Sequence, residues 1–305
     1  HHLCHAIPSY YLSPFNGSEA LALTIDGQGD GFFSKLYSYK SDTEYELIGE
    51  SSADFMGSGD RYLSIGRIYN YFTQAMDLHP NSDEGKVEAL AAFGKADRGL
   101  LTKLKDATQI NKETLSIHYD VEKIIPFYDI DYLKEQRAKM GDENFCAVVQ
   151  DYLEDTIVKY LNFAYEKYPV KNLCLSGGVA ANIIMSLNIY EKTNFKNIYV
   201  LPPMGDDGLA IGSAILTAIE MGEDVSWLKD YAMPYFGDEF TREQVKQTLD
   251  SFDDITVEDL ENTWPEEAAK SVAQGKICSL FHGKMEFGPR ALGNRSIIAS
   301  PMLEG

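Results

Sequence analysis

The sequence predicts an α/β fold, and three stretches carry that expectation. Residues 172–220 run strand, glycine turn, helix, strand, glycine turn, helix, an order that puts ligands at the carboxyl ends of strands. Residues 144–168 hold one apolar stripe of Val149, Leu153, Ile157, Tyr160 and Ala164, with Glu154, Asp155 and Lys159 placed off it, so a long amphipathic helix is expected. Residues 20–48 read as three strands joined through a glycine-rich turn.

In chain order, the opening His1-His2-Leu3-Cys4-His5-Ala6 leads into Ile7, Tyr10, Tyr11 and Leu12, a run that suits a helix. In a helix His1 and His5 share a face, and two imidazoles on one face can chelate a divalent ion. Residues 20–25 form a buried strand that runs into Asp26-Gly27-Gln28-Gly29-Asp30-Gly31, followed by strands at 32–39 and 44–48. The tip of such a hairpin can approach a phosphate. Apolar residues recurring at three and four predict helices over 62–76 and 85–93. After the long helix come a strand at 172–175, a turn at Ser176-Gly177-Gly178 and a helix to about residue 190. A strand at 197–201, a turn at Gly205-Asp206-Asp207-Gly208 and a helix to residue 220 follow. The character changes near Tyr235, so two domains are expected, 1–234 and 235–305. The second should hold helices at 243–252 and 266–273, a strand at 277–281, and a loop over residues 286–296 rich in glycine and arginine.

A chain of 305 residues with 44% hydrophobic and 24% charged content has the composition of a globular protein with an ample core. It contains no apolar run near the ~20 residues that span a bilayer and no signal-peptide pattern, so a cytoplasmic location is expected. The net charge of −20 argues against a general nucleic-acid or anionic-membrane binder, because both need a basic surface. Phosphate ligands remain open to backbone N–H groups, helix N-termini and a few local cations. Cys4, Cys146, Cys174 and Cys278 lie far apart, which predicts reduced thiols and neither a disulfide framework nor a zinc ribbon.

Three further patterns could carry chemistry. Ser176-Gly177-Gly178-Val179-Ala180-Ala181-Asn182 joins a strand to a helix, where glycines allow a nucleotide close to the backbone; it is neither a Rossmann fingerprint nor a P-loop. Asp206 and Asp207 share one turn, so one can cap the following helix while the other faces a ligand. An oxygen from that turn would complete a His, His, Asp set suited to iron, zinc or manganese. Arg290 and Arg295 offer guanidinium forks for phosphate or carboxylate.

These stretches together resemble the O-carbamoyltransferase family that includes the nodulation, cephamycin and tobramycin carbamoyltransferases. The resemblance rests on the opening histidines with Ser13-Pro14-Phe15, on Asp26-Gly27-Gln28-Gly29-Asp30, and on Glu84-Gly85-Lys86-Val87 with Leu90-Ala91-Ala92-Phe93-Gly94. It continues through Leu175-Ser176-Gly177-Gly178-Val179-Ala180, Pro202-Pro203-Met204-Gly205-Asp206-Asp207-Gly208 and Met285-Glu286-Phe287-Gly288-Pro289-Arg290-Ala291-Leu292-Gly293, in the family's order. Glu88 and Ser186 stand where the family tends to have methionine and asparagine. Members usually carry a segment before the histidines and a long continuation after the arginine loop, so the chain is expected to be an internal fragment.

The resemblance implies an actin-like ATPase (ASKHA) core followed by the start of a YrdC-like α+β domain that handles carbamoyl phosphate. It implies that carbamoyl phosphate and ATP, with Mg2+, give carbamoyl adenylate, whose carbamoyl group passes to a hydroxyl of a sugar-containing small molecule. His1, His5 and Asp206 match the metal positions and Asp26 is a candidate further ligand, with Fe2+ ranked ahead of Zn2+ and Mn2+. Gly27, Gly29, Glu84, Lys86, Gly177, Gly178 and Asn182 would hold the nucleotide, and Asp30, Arg290 and Arg295 would serve catalysis. No nucleic-acid or membrane partner is expected, and a homodimer is allowed for. The alternatives are a tRNA threonylcarbamoyl transferase-like enzyme and a non-catalytic ATP-binding module.

Overall fold

A computed structural model describes residues 1–42, 44–55, 62–230 and 234–302. The chain divides between residues 231 and 232 into two compact units. The first contains α1 (His2–Tyr11), β1 (Ala20–Gly29), β2 (Phe32–Tyr39), β3 (Tyr45–Ser52), α2 (Ile65–Ala75), α3 (Glu84–Ala91) and α4 (Arg98–Asp106). It continues with β4 (Thr108–Asn111), β5 (Ser116–Tyr119), α5 (Val121–Ile124), α6 (Ile130–Met140), α7 (Asp142–Lys167), β6 (Asn172–Ser176), α8 (Ile183–Lys192), β7 (Asn197–Val200) and α9 (Leu209–Glu220).

The alternation expected over residues 172–220 is present and closes a mixed five-stranded sheet in the order β3-β2-β1-β6-β7. β1, β2 and β3 pair antiparallel as a meander, while β6 and β7 run parallel to β1. This is an α/β fold in which β1, β6 and β7 send their carboxyl ends to one edge. Val149, Leu153, Ile157, Tyr160 and Ala164 are all buried on α7, as the stripe requires, and Phe145 near its start stacks on Phe72 of α2 at 4.6 Å. Burial of Val149, Leu153, Ile157 and Phe145 stabilises the fold by about 1.5–3 kcal/mol each.

Several boundaries differ from expectation for identifiable reasons. β1 continues through Gly29, so the turn is only Asp30-Gly31, both at positive φ. The helix expected from residue 62 starts at Ile65, because the Ser64 side chain accepts from the Arg67 N–H and caps it. Glu154 is buried rather than solvated: it accepts a 2.8 Å hydrogen bond from Gln150, and burial raises its pKa. Residues 98–140 carry six short elements, one of them a 3-10 turn, with no long period to announce them; Asp97, Asp120 and Asp129 cap three of them. All four cysteines are free, and burial pushes the Cys146 and Cys174 thiols up to about 12. No described helix is long and apolar enough to cross a membrane.

The second unit holds α10 (Arg242–Leu249), α11 (Trp264–Ala273) and β8 (Cys278–Ser279), which pairs antiparallel with β9 (Ile297–Ile298). The strand expected over 277–281 is thus only two residues long. The loop between β8 and β9 is organised by Glu286, whose Oε1 accepts backbone N–H bonds from Leu292 (2.9 Å), Asn294 (2.6 Å) and Arg295 (3.3 Å). Desolvation works against the charge, but these donors outweigh it and hold the carboxyl at about 2, below its ordinary 4.5. A depressed carboxyl stabilises the fold fully above its unfolded pKa and loses that contribution as pH falls toward the folded one. Hydrogen-exchange protection at Leu292 and Asn294 should therefore fall between pH 4.5 and about 2. Glu286→Gln should show reduced protection already at neutral pH. Protection that ignores both pH and the substitution would refute this role.

Candidate metal and nucleotide site

Asp26 enters the site because β1 bulges. Ile25 pairs with Ser34 and pairing resumes only at Gly29 with Phe32, so Asp26, Gly27 and Gln28 stand against Phe33 alone. The Asp26 carboxylate accepts from the Gly27 N–H at 2.7 Å and the Gly178 N–H at 3.1 Å. Burial would raise its pKa, but the neighbouring His5 and these two N–H groups together hold it below the usual carboxylate range.

His1 caps the start of α1 and His5 lies one turn on, with ring centroids 4.7 Å apart. Gly29 makes room for His1: a Cβ there would fall 2.0 Å from the imidazole Cδ2. Ser176 donates to the His5 carbonyl at 2.9 Å and ties α1 to the end of β6. Asp206 opens a single 3-10 turn before α9. His5 Nε2 lies 3.2 Å from Asp26 Oδ2 and 3.5 Å from Asp206 Oδ1, and His1 Nε2 lies 3.6 Å from Asp26 Oδ2.

One donor atom from each of these four residues falls within 4.8 Å of the others. None of these contacts is a hydrogen bond for the imidazoles: His1 Nε2 and both ring nitrogens of His5 are buried without a partner. Leaving a buried polar atom unpaired costs about 1–3 kcal/mol. His1 Nε2 and His5 Nε2, facing the carboxylates of Asp26 and Asp206, have the chemistry of a nitrogen–oxygen ligand set for a divalent cation, and the residues fit that group. His2 differs from both, since its Nδ1 meets the Thr24 hydroxyl at 2.8 Å and its Nε2 meets the Phe32 carbonyl at 3.0 Å. Burial lowers its pKa, as befits a neutral structural histidine.

The other sequence-selected residues are distributed more widely. Gly177, at φ +89°, packs so tightly on β1 that a Cβ would lie 2.1 Å from the Ile25 oxygen. Asn182 caps α8 by accepting from Met185 N at 2.8 Å, and it exchanges hydrogen bonds with Gln150 at 2.9 and 3.0 Å. The helix after the glycine turn therefore begins at Ile183, preceded by a 3-10 turn over Gly178–Ala181. Glu84 accepts from Asn81 N at 2.6 Å, and exposed Lys86 pairs with Asp83 at 2.8 Å. Asp30 stands exposed at the hairpin tip, its carboxylate 2.5 Å from the His1 backbone nitrogen. Arg290 and Arg295 lie in the second unit, where Arg295 stacks on Phe281 at 3.7 Å and donates to the carbonyls of His282, Gly283 and Asn294.

A buried network was not foreseen. Tyr69 donates to Gln150 at 2.9 Å, Gln150 bonds Asn182 and Glu154, and Glu88 accepts from Ile184 N at 2.8 Å at the start of α8. The signal was there in Gln150 and Glu154, a polar pair at helical spacing directly beside the apolar stripe.

Residues 1–215 match the family described as Carbamoyltransferase N-terminus, and residues 269–305 match Carbamoyltransferase C-terminus. The chain belongs to the carbamoyltransferase family. It is 49% identical over 309 residues to an uncharacterized protein of Methanocaldococcus jannaschii, MJ1058, covering 99% of this chain and 51% of that one. It is 24% identical over 306 residues to the 3'-hydroxymethylcephem-O-carbamoyltransferase of Streptomyces clavuligerus, covering 98% of this chain and 54% of that one. This carbamoyltransferase-family chain thus spans about half the length of the curated relatives it matches. Its fold is like that of full-length HypF in a phosphate- and nucleotide-bound crystal structure, with a TM-score of 0.51 at 15% identity, over 74% of this chain and 36% of HypF.

Proposed function

We propose that the chain forms the metal- and nucleotide-holding part of an ATP-dependent O-carbamoyltransferase, with an actin-like ATPase core and the beginning of a YrdC-like C-terminal domain. Carbamoyl phosphate and ATP, with Mg2+ and one water, would yield carbamoyl adenylate, inorganic phosphate and pyrophosphate, and a hydroxyl of a sugar-containing small molecule would take the carbamoyl group. The observation that carries this reading is the cluster of His1, His5, Asp26 and Asp206, with orphaned imidazole nitrogens, at the carboxyl edge of β1, β6 and β7.

The chemistry calls for such a cluster. Nitrogen donation into a carbamoyl carbonyl makes its carbon a poor electrophile, so transfer needs a good leaving group and stabilised oxyanion charge. A divalent ion held by His1, His5, Asp26 and Asp206, Fe2+ ahead of Zn2+ or Mn2+, would supply that positive charge. Gly27 and Gly178 keep Asp26 ionised through their N–H groups, and Gly29 leaves His1 its place. In the transfer step the acceptor oxygen bonds to the carbamoyl carbon, AMP leaves, and the hydroxyl proton goes to a carboxylate. Asp30, exposed beside the cluster, is the residue proposed to take it. Exchange of labelled pyrophosphate into ATP by the full-length protein should depend on carbamoyl phosphate. Exchange that proceeds equally without carbamoyl phosphate, or not at all with it, would refute the adenylate route.

A further inference from the structure

Arg67 occupies the third position of α2, inside the first helical turn. A cation there lies against the positive end of the helix, where an anion would be stabilised. Its Nε is buried without a hydrogen-bond partner, and among the described residues no ion pair joins the guanidinium to a carboxylate. Arg98 and Arg295 also lack an ion pair among the described residues, but of the described arginines Arg67 alone has a buried guanidinium nitrogen without a hydrogen-bond partner. Arg137 pairs with Asp77 and Asp142, and Arg242 pairs with Asp259.

The surroundings fix Arg67 beside the cluster. Ser64 accepts from the Arg67 N–H at 3.0 Å and donates to the Gly27 carbonyl at 2.6 Å, while Ser64 N–H donates to the Tyr128 hydroxyl at 2.9 Å. Gly66 brings α2 down onto β1, since a Cβ there would lie 2.9 Å from the Asp26 oxygen. A Cβ on Gly27 would stand 3.4 Å from Arg67 Nε, so the guanidinium lies close against the Gly27 backbone. The result is a guanidinium with a buried, unpaired Nε beside Gly27, the residue that follows Asp26 of the cluster. A guanidinium matches two oxygens of a phosphate, and backbone glycine permits that approach.

We propose that Arg67 is a phosphate-binding residue of this site, holding the phosphoryl group of the nucleotide or of the acyl phosphate over Gly27. This rests on the reading of the chain as an ATP-dependent carbamoyltransferase. The test is calorimetry of the full-length wild type, Arg67→Gln and Arg67→Lys with AMP, adenosine, carbamoyl phosphate and inorganic phosphate. The Gln variant should bind AMP, or carbamoyl phosphate, roughly tenfold or more weakly, as loss of a charge-assisted pair implies. Its adenosine affinity should stay within about twofold, which also reports that the fold survives, and the Lys variant should fall between. Which ligand loses affinity tells nucleotide from acyl phosphate. Equal affinities in wild type and Gln variant, a parallel loss of adenosine binding, or a wild type that binds AMP no tighter than adenosine and does not bind carbamoyl phosphate or inorganic phosphate, would each overturn the assignment. The carbamoyl-transfer reading fails separately, by absent carbamoyl-phosphate-dependent pyrophosphate exchange in a wild type whose phosphate ligands still depend on Arg67.

Discussion

Gly212→Ala is expected to destabilise the first unit by about 3 kcal/mol, the upper part of the range for overpacking. Pro8 stands inside α1 and has no N–H, so the carbonyl of Cys4 lacks its helical partner. α9 packs there through Gly212, and an added Cβ would lie 1.8 Å from the Cys4 oxygen and 2.6 Å from its carbon. Both are backbone atoms and cannot rotate away, so the two helices must part. α1 carries His1 and His5, and Asp206 stands just ahead of α9, so metal affinity should fall with stability. Gly205→Ala is the control: it sits at φ −78° with nothing within 4 Å of its added Cβ, and should be close to neutral. Urea denaturation of the three proteins decides it, and equal midpoints would show that the α1–α9 contact is looser than described.

The legible parts of the site were those written in side-chain spacing. His1 and His5 share a helical face because they are four residues apart, and the pair of aspartates in one turn drew attention to Asp206. Asp26 was named through family resemblance, because nothing in its spacing says that a bulge will turn it toward the histidines. The turn glycines are expected from sequence to bring a nucleotide close to the backbone. Periodicity does not say which acceptor a backbone N–H will take, and those of Gly27 and Gly178 go to Asp26. Arg67 was invisible for the same reason, since one arginine in an amphipathic helix has no pattern until its missing partner is seen. The short elements between Arg98 and Met140 escaped notice because single capping aspartates start runs too brief for a period to show.

The proposed binding of one divalent cation by His1, His5, Asp26 and Asp206 is tested at its ligands. Removing His5 or Asp26 should have the largest effect of any change in the molecule. His5 is fully buried and gives the shortest contacts to both carboxylates, and Asp26 touches both histidines. A tetrahedral or more open nitrogen–oxygen site that loses one of so few ligands loses most of its affinity. Leu3 is intermediate in burial and outside the cluster, so Leu3→Ala serves as the control on the same helix. Elemental analysis of purified wild type, His5→Gln, Asp26→Asn and Leu3→Ala, each shown to be folded by circular dichroism, is the most direct measurement. Wild type and Leu3→Ala should carry about one equivalent of divalent metal, iron before zinc or manganese, and the other two near-background content. Equal metal content in all four proteins, or none in the wild type after exposure to each of the three ions, would contradict it.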